Sequence, residues 1–152
     1  SADLKRKGGA AMLGGEYRQN LDPKNRILIP AKLREELGEP FVVAKDIREK
    51  CIKVYSLAGW QEYIAPLRQQ NRRLSEQILR YLHSTMAQVK PDNQGRVTLP
   101  QELVDHAEMK EGTAVVVGCC DYAEIWSESR YEEMKSKEDV SALLAELEAL
   151  GL

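Results

Sequence analysis

Two five-residue stretches carry the side chains best placed for chemistry, Asp22-Pro23-Lys24-Asn25-Arg26 and Asp92-Asn93-Gln94-Gly95-Arg96. Each sets a carboxylate four residues before a guanidinium, across residues that favour a turn. A carboxylate beside Arg is held ionised, which suits presentation of the Arg better than proton transfer. The guanidinium is a planar fork that bonds bidentately to a phosphate or to the O6/N7 edge of guanine. Fixing that fork against the Asp lowers the rotamer entropy lost on binding. Lys24 adds charge to the first stretch, while Asn93 and Gln94 offer neutral hydrogen-bonding groups in the second. The candidate DNA-contacting residues are therefore Asp22, Lys24, Asn25 and Arg26 with Asp92, Asn93, Gln94 and Arg96. The plainer alternative is that each Asp–Arg pair only stitches its own turn.

Other chemistry is poorly served. His83 and His106 lie in helical stretches with no nucleophile at a defensible spacing, and no GxSxG, HExxH, Walker or GxGxxG signature occurs. Pairing Cys119 or Cys120 with His106 is conceivable but unsupported by any pattern. The three cysteines, Cys51, Cys119 and Cys120, are odd in number and lack CxxC spacing, which argues against a disulfide framework or a zinc site. The reading is of a chain that is not an enzyme, with no cofactor, no metal and no small-molecule substrate.

The elements that must position these stretches come in two copies. Shifting LDPKNRILIPAKLREEL by 70 positions lays Asp22 on Asp92, Arg26 on Arg96, Pro30 on Pro100 and Leu33 on Leu103. Phe41-Val42-Val43-Ala44 is answered by Ala114-Val115-Val116-Val117, and Val54-Tyr55-Ser56 by Ile125-Trp126-Ser127. Such a repeat signals one supersecondary unit used twice, each copy burying its apolar face on the other. Each copy reads as a hairpin, a short strand from the Arg, a helix opened by Pro, a strand pair, and a helix capped by Ser56 or Ser127. Asn25 and Gly95 occupy the same place before the Arg; both residue types accept a left-handed backbone, so positive φ is expected there.

The short helices are expected at about Ala31–Leu37 and Gln101–Ala107, and the strand pairs at about Pro40–Lys45 with Cys51–Tyr55 and Thr113–Gly118 with Ala123–Trp126. Between the copies a helix is expected over Gln69–Thr85, broken from the preceding one by Pro66. A terminal helix, Val140–Leu150, carries Leu143, Leu144, Leu147 and Leu150 on one stripe behind an Asp139 cap. At that length it is marginal alone and must pack on its own chain or on a neighbour. The resulting division is 1–11 as a leader left from expression, 12–66 as the first unit, 67–87 as a connecting helix, 88–136 as the second unit and 137–152 as a helical tail.

Net charge is −2, but it is unevenly spread. Met12 to Pro100 holds 15 Lys/Arg against 10 Asp/Glu, whereas Gln101 to Leu152 holds 4 against 13. That asymmetry suggests a basic working face and an acidic, solvating C-terminus. No apolar run approaches the roughly 18 residues that span a membrane. So small a basic excess grips DNA weakly in a single chain; a ring with all its hairpins on one side multiplies the contacts.

MLGGEYRQNLDPKNRILIPAKLR (Met12–Arg34), VYSLAGWQEY (Val54–Tyr63) and QVKPDNQGRVTLPQEL (Gln88–Leu103) resemble the MraZ family of bacterial transcriptional regulators. The resemblance implies an α+β fold of two tandem AbrB-like swapped-hairpin units, forming an intrachain pseudo-dimer with a barrel-like core and short helices. It further implies a ring homo-oligomer in the cytoplasm, on the nucleoid. That ring would bind double-stranded DNA at short direct repeats in its own promoter and repress the division and cell-wall gene cluster. The implied contacts are Asp22, Arg26, Asp92 and Arg96; Asn25 stands where many members carry Gly. The rival readings are a ring scaffold that binds no DNA, and an antitoxin-type protein whose terminal helix docks a toxin.

Overall fold

The computed structural model describes residues 12–110 and 112–152; the stretch read as a leader lies outside them. In chain order the elements are β1 (Glu16–Leu21), β2 (Arg26–Leu28), α1 (Ala31–Leu37), β3 (Phe41–Lys45), β4 (Ile52–Ser56), α2 (Leu57–Gln69) and α3 (Arg73–His83). The second series is β5 (Ala87–Val89), β6 (Arg96–Thr98), α4 (Gln101–His106), β7 (Gly112–Gly118), β8 (Ala123–Ser127), α5 (Glu128–Ser136) and α6 (Val140–Ala149). The doubled order expected from the sequence repeat is present throughout, in an α+β chain.

Six strands form one antiparallel sheet in the order β1-β7-β8-β4-β3-β5, and β2 pairs with β6 in a separate ribbon. The order reads the same from either end once equivalent strands are exchanged. β1 of the first copy lies on β7 of the second, and β5 of the second lies on β3 of the first. Each copy thus lends its leading strand to the other, which is the swapped arrangement. At the centre β4 pairs with β8, with Ile52 opposite Ile125. The ribbon joins the sheet edges through the hairpins: the Asp22 amide donates to the Arg26 carbonyl at 3.0 Å, and the Asp92 amide to the Arg96 carbonyl at 2.8 Å.

Strand alternation explains why both faces of the sheet are covered. On β3, Phe41 and Val43 enter a core common to both copies, whereas Val42 and Ala44 turn outward under Trp60, Ile64 and Leu82. On β7, Ala114 and Val116 enter the same shared core, and Val115 turns outward with Trp126 and Tyr131. The shared core takes Ile27, Ile29, Leu33 and Phe41 from one copy and Val97, Leu99, Leu103 and Ile125 from the other, all nearly inaccessible to solvent. Each such side chain contributes about 1.5–3 kcal/mol on burial. Ser56 and Ser127 cap α2 and α5, accepting from the amides of Gly59 at 2.9 Å and Arg130 at 3.2 Å.

One sequence expectation needs correction. Pro66 does not end the helix: α2 runs through it to Gln69, and the break falls at 70–72 before α3. Leu67, one residue beyond the proline, still packs on the cluster around Trp60, and that contact outweighs one lost hydrogen bond in the final turn. On α3, Leu82 is buried and Ile78 and Leu79 pack against the same cluster, while Leu74 is exposed. The helix α6 forms with its expected cap, Asp139 accepting from the amides of Ser141 and Ala142, and none of its residues is buried on its own chain. Leu143, Leu144, Leu147 and Leu150 all face solvent.

Candidate nucleic-acid interface

The two candidate stretches fold into the same turn. In the first, Asp22 Oδ1 accepts from the amides of Lys24 at 2.9 Å and Arg26 at 2.8 Å, and Oδ2 accepts from Arg26 Nε at 2.6 Å. In the second, Asp92 Oδ1 accepts from Gln94 at 2.8 Å and Arg96 at 3.0 Å, and Oδ2 accepts from Arg96 Nε at 3.2 Å. Asn25 and Gly95 sit at φ of 60° and 82°, as their shared place in the repeat requires. Each aspartate therefore builds its turn with one oxygen and steadies its arginine with the other. The grip uses Nε, and among the described residues neither terminal amino group of either guanidinium has another hydrogen-bond partner.

The ribbon decides where the arginines point. Ile27 lies opposite Val97, and both are buried. Alternation then sends the flanking residues to the opposite face, where Arg26 lies opposite Thr98 and Leu28 opposite Arg96. Both arginines thus emerge on one outer face, with side chains 34% and 30% exposed. They are neither buried nor aimed at opposite sides of the molecule. Lys24, Asn93 and Gln94 are exposed at the turn tips. Asn25 is half-buried, its Nδ2 donating to Gln101 Oε1 at 2.9 Å, and Gln101 Nε2 in turn donates to Asp105 Oδ1 at 2.8 Å.

The Arg26 amide, then its guanidinium, holds the Asp22 carboxyl below the usual aspartate range, and the Arg96 amide does the same for Asp92. A depressed carboxyl stabilises the fold only while ionised. Both turns therefore keep their full contribution above the ordinary aspartate value of 3.8 and lose it as pH falls further, through the lowered folded values. A carboxyl-detected NMR titration is expected to give both aspartates midpoints below 3.8; midpoints at or above it contradict the turn geometry.

Both histidines are tied to backbone carbonyls. His83 Nδ1 meets the Leu79 carbonyl at 2.8 Å, and Trp60 Nε1 donates to His83 Nε2 at 3.1 Å. His106 Nε2 meets the Asp46 carbonyl at 2.8 Å. The cysteines are free: Cys51 is buried, with its thiol pushed up by desolvation, and Cys119 is pushed up to about 12 for the same reason. Arg18, also basic, is occupied by Glu16, Glu128 and Glu132.

Sequence reasoning missed three members of this surface. Leu28 and Thr98 lie on the outer face between the arginines. Arg34 of α1 lays its guanidinium against Gly95 of the other copy: a Cβ there would come within 2.9 Å of Arg34 Cζ. One signal was available, since Arg34 aligns with Val104 in the second copy, a place where the repeat exchanges charge for an apolar group.

Two fused copies that trade leading strands, with paired Asp–Arg turns on one outer ribbon, define a tandem swapped-hairpin protein of the AbrB-like kind. The family model described as "MraZ protein, putative antitoxin-like" matches residues 12–80 and again 83–149. The chain belongs to the MraZ family. It is 40% identical to a Moorella thermoacetica protein over 80% of this chain and 85% of that one. It is 36% identical to a Clostridium acetobutylicum protein over 93% of this chain and all of that one. A Thermoanaerobacter sp. relative is 36% identical over 86% of this chain and 91% of its own length. All three relatives carry the name transcriptional regulator MraZ.

Proposed function

We propose that this chain is a sequence-specific DNA-binding transcriptional regulator, a repressor acting at short direct repeats in its own promoter ahead of the division and cell-wall gene cluster. The observation that carries the reading is the common outward face of Arg26 and Arg96 on the β2–β6 ribbon. Two guanidiniums, each steadied by its own aspartate and sharing one face, suit contacts to base edges and phosphates better than a proton-transfer role. Lys24, Asn25, Asn93 and Gln94 border them and complete the contact set with Asp22 and Asp92 as its supports. The name carried by the relatives favours the same reading.

A single chain offers few phosphate contacts, so we take the working form to be a ring of copies, each built from halves 12–66 and 88–136, held in the cytoplasm on the nucleoid. The apolar stripe of α6, exposed along Leu143, Leu144, Leu147 and Leu150, supplies a surface for assembly. The test is the salt dependence of binding to a duplex taken from upstream of the protein's own coding sequence. Affinity is expected to fall steeply between about 50 and 200 mM salt, linearly in a log–log plot. A flat response, or equal affinity for an unrelated duplex, contradicts the reading and leaves an apolar scaffold as the better account.

A further inference from the structure

The two ends of the ribbon are alike in backbone and unlike in charge. At the first turn, Asn25 is tied to Gln101 and through it to the Asp105 carboxylate. At the second, Gly95 has no side chain, and the guanidinium of Arg34 occupies the vacated place, with Cζ, Nη2 and Nε 2.9, 3.1 and 3.2 Å from where a Cβ would stand, closer than van der Waals contact allows. Arg34 Nε donates to the Ile29 carbonyl at 2.9 Å, and Ile29 donates its own amide to the Gly95 carbonyl at 3.0 Å. Among the described residues no carboxylate pairs with that guanidinium. It is half-buried and anchored by Nε, and among the described residues its terminal amino groups have no hydrogen-bond partner. The equivalent place in the second copy is filled by Val104, which is buried.

The charge pattern of the turns gives this arrangement a purpose. The first turn carries its own cation, Lys24, between Asp22 and Arg26; the second has neutral Gln94 there. We propose that Arg34 is a further DNA contact, delivered by the first copy onto the second copy's turn, where it supplies the cation that Gln94 does not. The inference rests on the DNA-binding reading above. An alternative role for Arg34 is purely structural, as packing over Gly95. The two differ in what a substitution changes, since packing alters stability and a phosphate contact alters salt dependence.

The experiment compares wild type, Arg34→Ala, Arg34→Lys and Arg26→Ala on the upstream duplex and on an unrelated duplex of equal length, at several salt concentrations, with folding checked by circular dichroism. The expected result is that Arg34→Ala weakens binding to both duplexes and lowers the slope of log affinity against log salt by about 1 per bound copy. Arg34→Lys is expected to restore the slope, because it retains the charge. A folded Arg34→Ala protein with an unchanged slope overturns the proposal, while steep wild-type binding that Arg26→Ala weakens leaves the functional reading standing. Should Arg34→Ala not fold, Arg34→Lys and Arg34→Gln carry the comparison: equal slopes for those two overturn the proposal, and a shallower slope for Arg34→Gln supports it. Absence of salt-dependent binding by wild type removes the functional reading and this inference with it.

Discussion

Replacing Arg26 and Arg96 together by alanine is expected to abolish discrimination between the upstream duplex and unrelated DNA while leaving the protein folded. Each lost bidentate contact costs about 1–3 kcal/mol of discrimination, roughly 5- to 150-fold in Kd, and assembly multiplies the loss over the copies engaged. Folding survives because the turns do not depend on the guanidiniums. Asp22 Oδ1 keeps the amides of Lys24 and Arg26, and Asp92 Oδ1 keeps those of Gln94 and Arg96. The Arg26→Lys and Arg96→Lys proteins separate the two uses of the fork: lysine preserves a phosphate contact but cannot make the paired bonds to a base edge. Titration of labelled duplex by fluorescence anisotropy reads the outcome. A folded double-alanine protein with unchanged preference for the upstream duplex refutes the assignment of these residues.

The second large effect concerns the fold. A fragment of residues 12–86 alone is expected not to fold as a monomer. It leaves β1 without β7, β2 without β6, β4 without β8 and β3 without β5. It also strips the shared core of Val97, Leu99, Leu103, Val116 and Ile125. At about 1.5–3 kcal/mol for each large apolar side chain returned to water, such losses exceed the roughly 5–15 kcal/mol by which a domain is stable. Because the two copies are equivalent, the fragment can regain its pairings only from a second copy of itself or from the complementary half. Sedimentation with thermal unfolding checks this: a folded fragment is expected to be dimeric, with a midpoint that rises with concentration. A monomer that unfolds cooperatively is incompatible with the strand exchange described above.

How far the sequence reached is clearest at the turns. The identical spacing of Asp and Arg, with Asn25 and Gly95 in one register, was enough to anticipate both the turn and its positive φ, because those depend on contacts within five residues. Ser56, Ser127 and Asp139 were likewise legible as caps, since a cap is a bond to an amide two or three residues on. Pro66 was misjudged because its local cost competes with packing by Leu67 against the cluster around Trp60, several of whose members lie far away in the chain and outside any local rule. Leu74, Ile78, Leu79 and Leu82 of α3 and the leucines of α6 recur at similar helical spacing, yet the first set is half core and the second wholly exposed. Periodicity states that an apolar face exists and does not name what covers it.

By itself, then, the sequence determined the doubled unit, the order of its elements, the paired Asp–Arg turns and the residue types able to meet a nucleic acid. The swapped-hairpin arrangement was implied only by the family resemblance; tertiary structure alone decided which strands pair and in what register, that Arg26 and Arg96 share one outward face, and that Arg34 crosses to the other copy's turn. The reason is physical: turns and caps are built from neighbours along the chain, whereas strand exchange and side-chain convergence depend on register between segments some seventy residues apart, set by burying Ile27 against Val97.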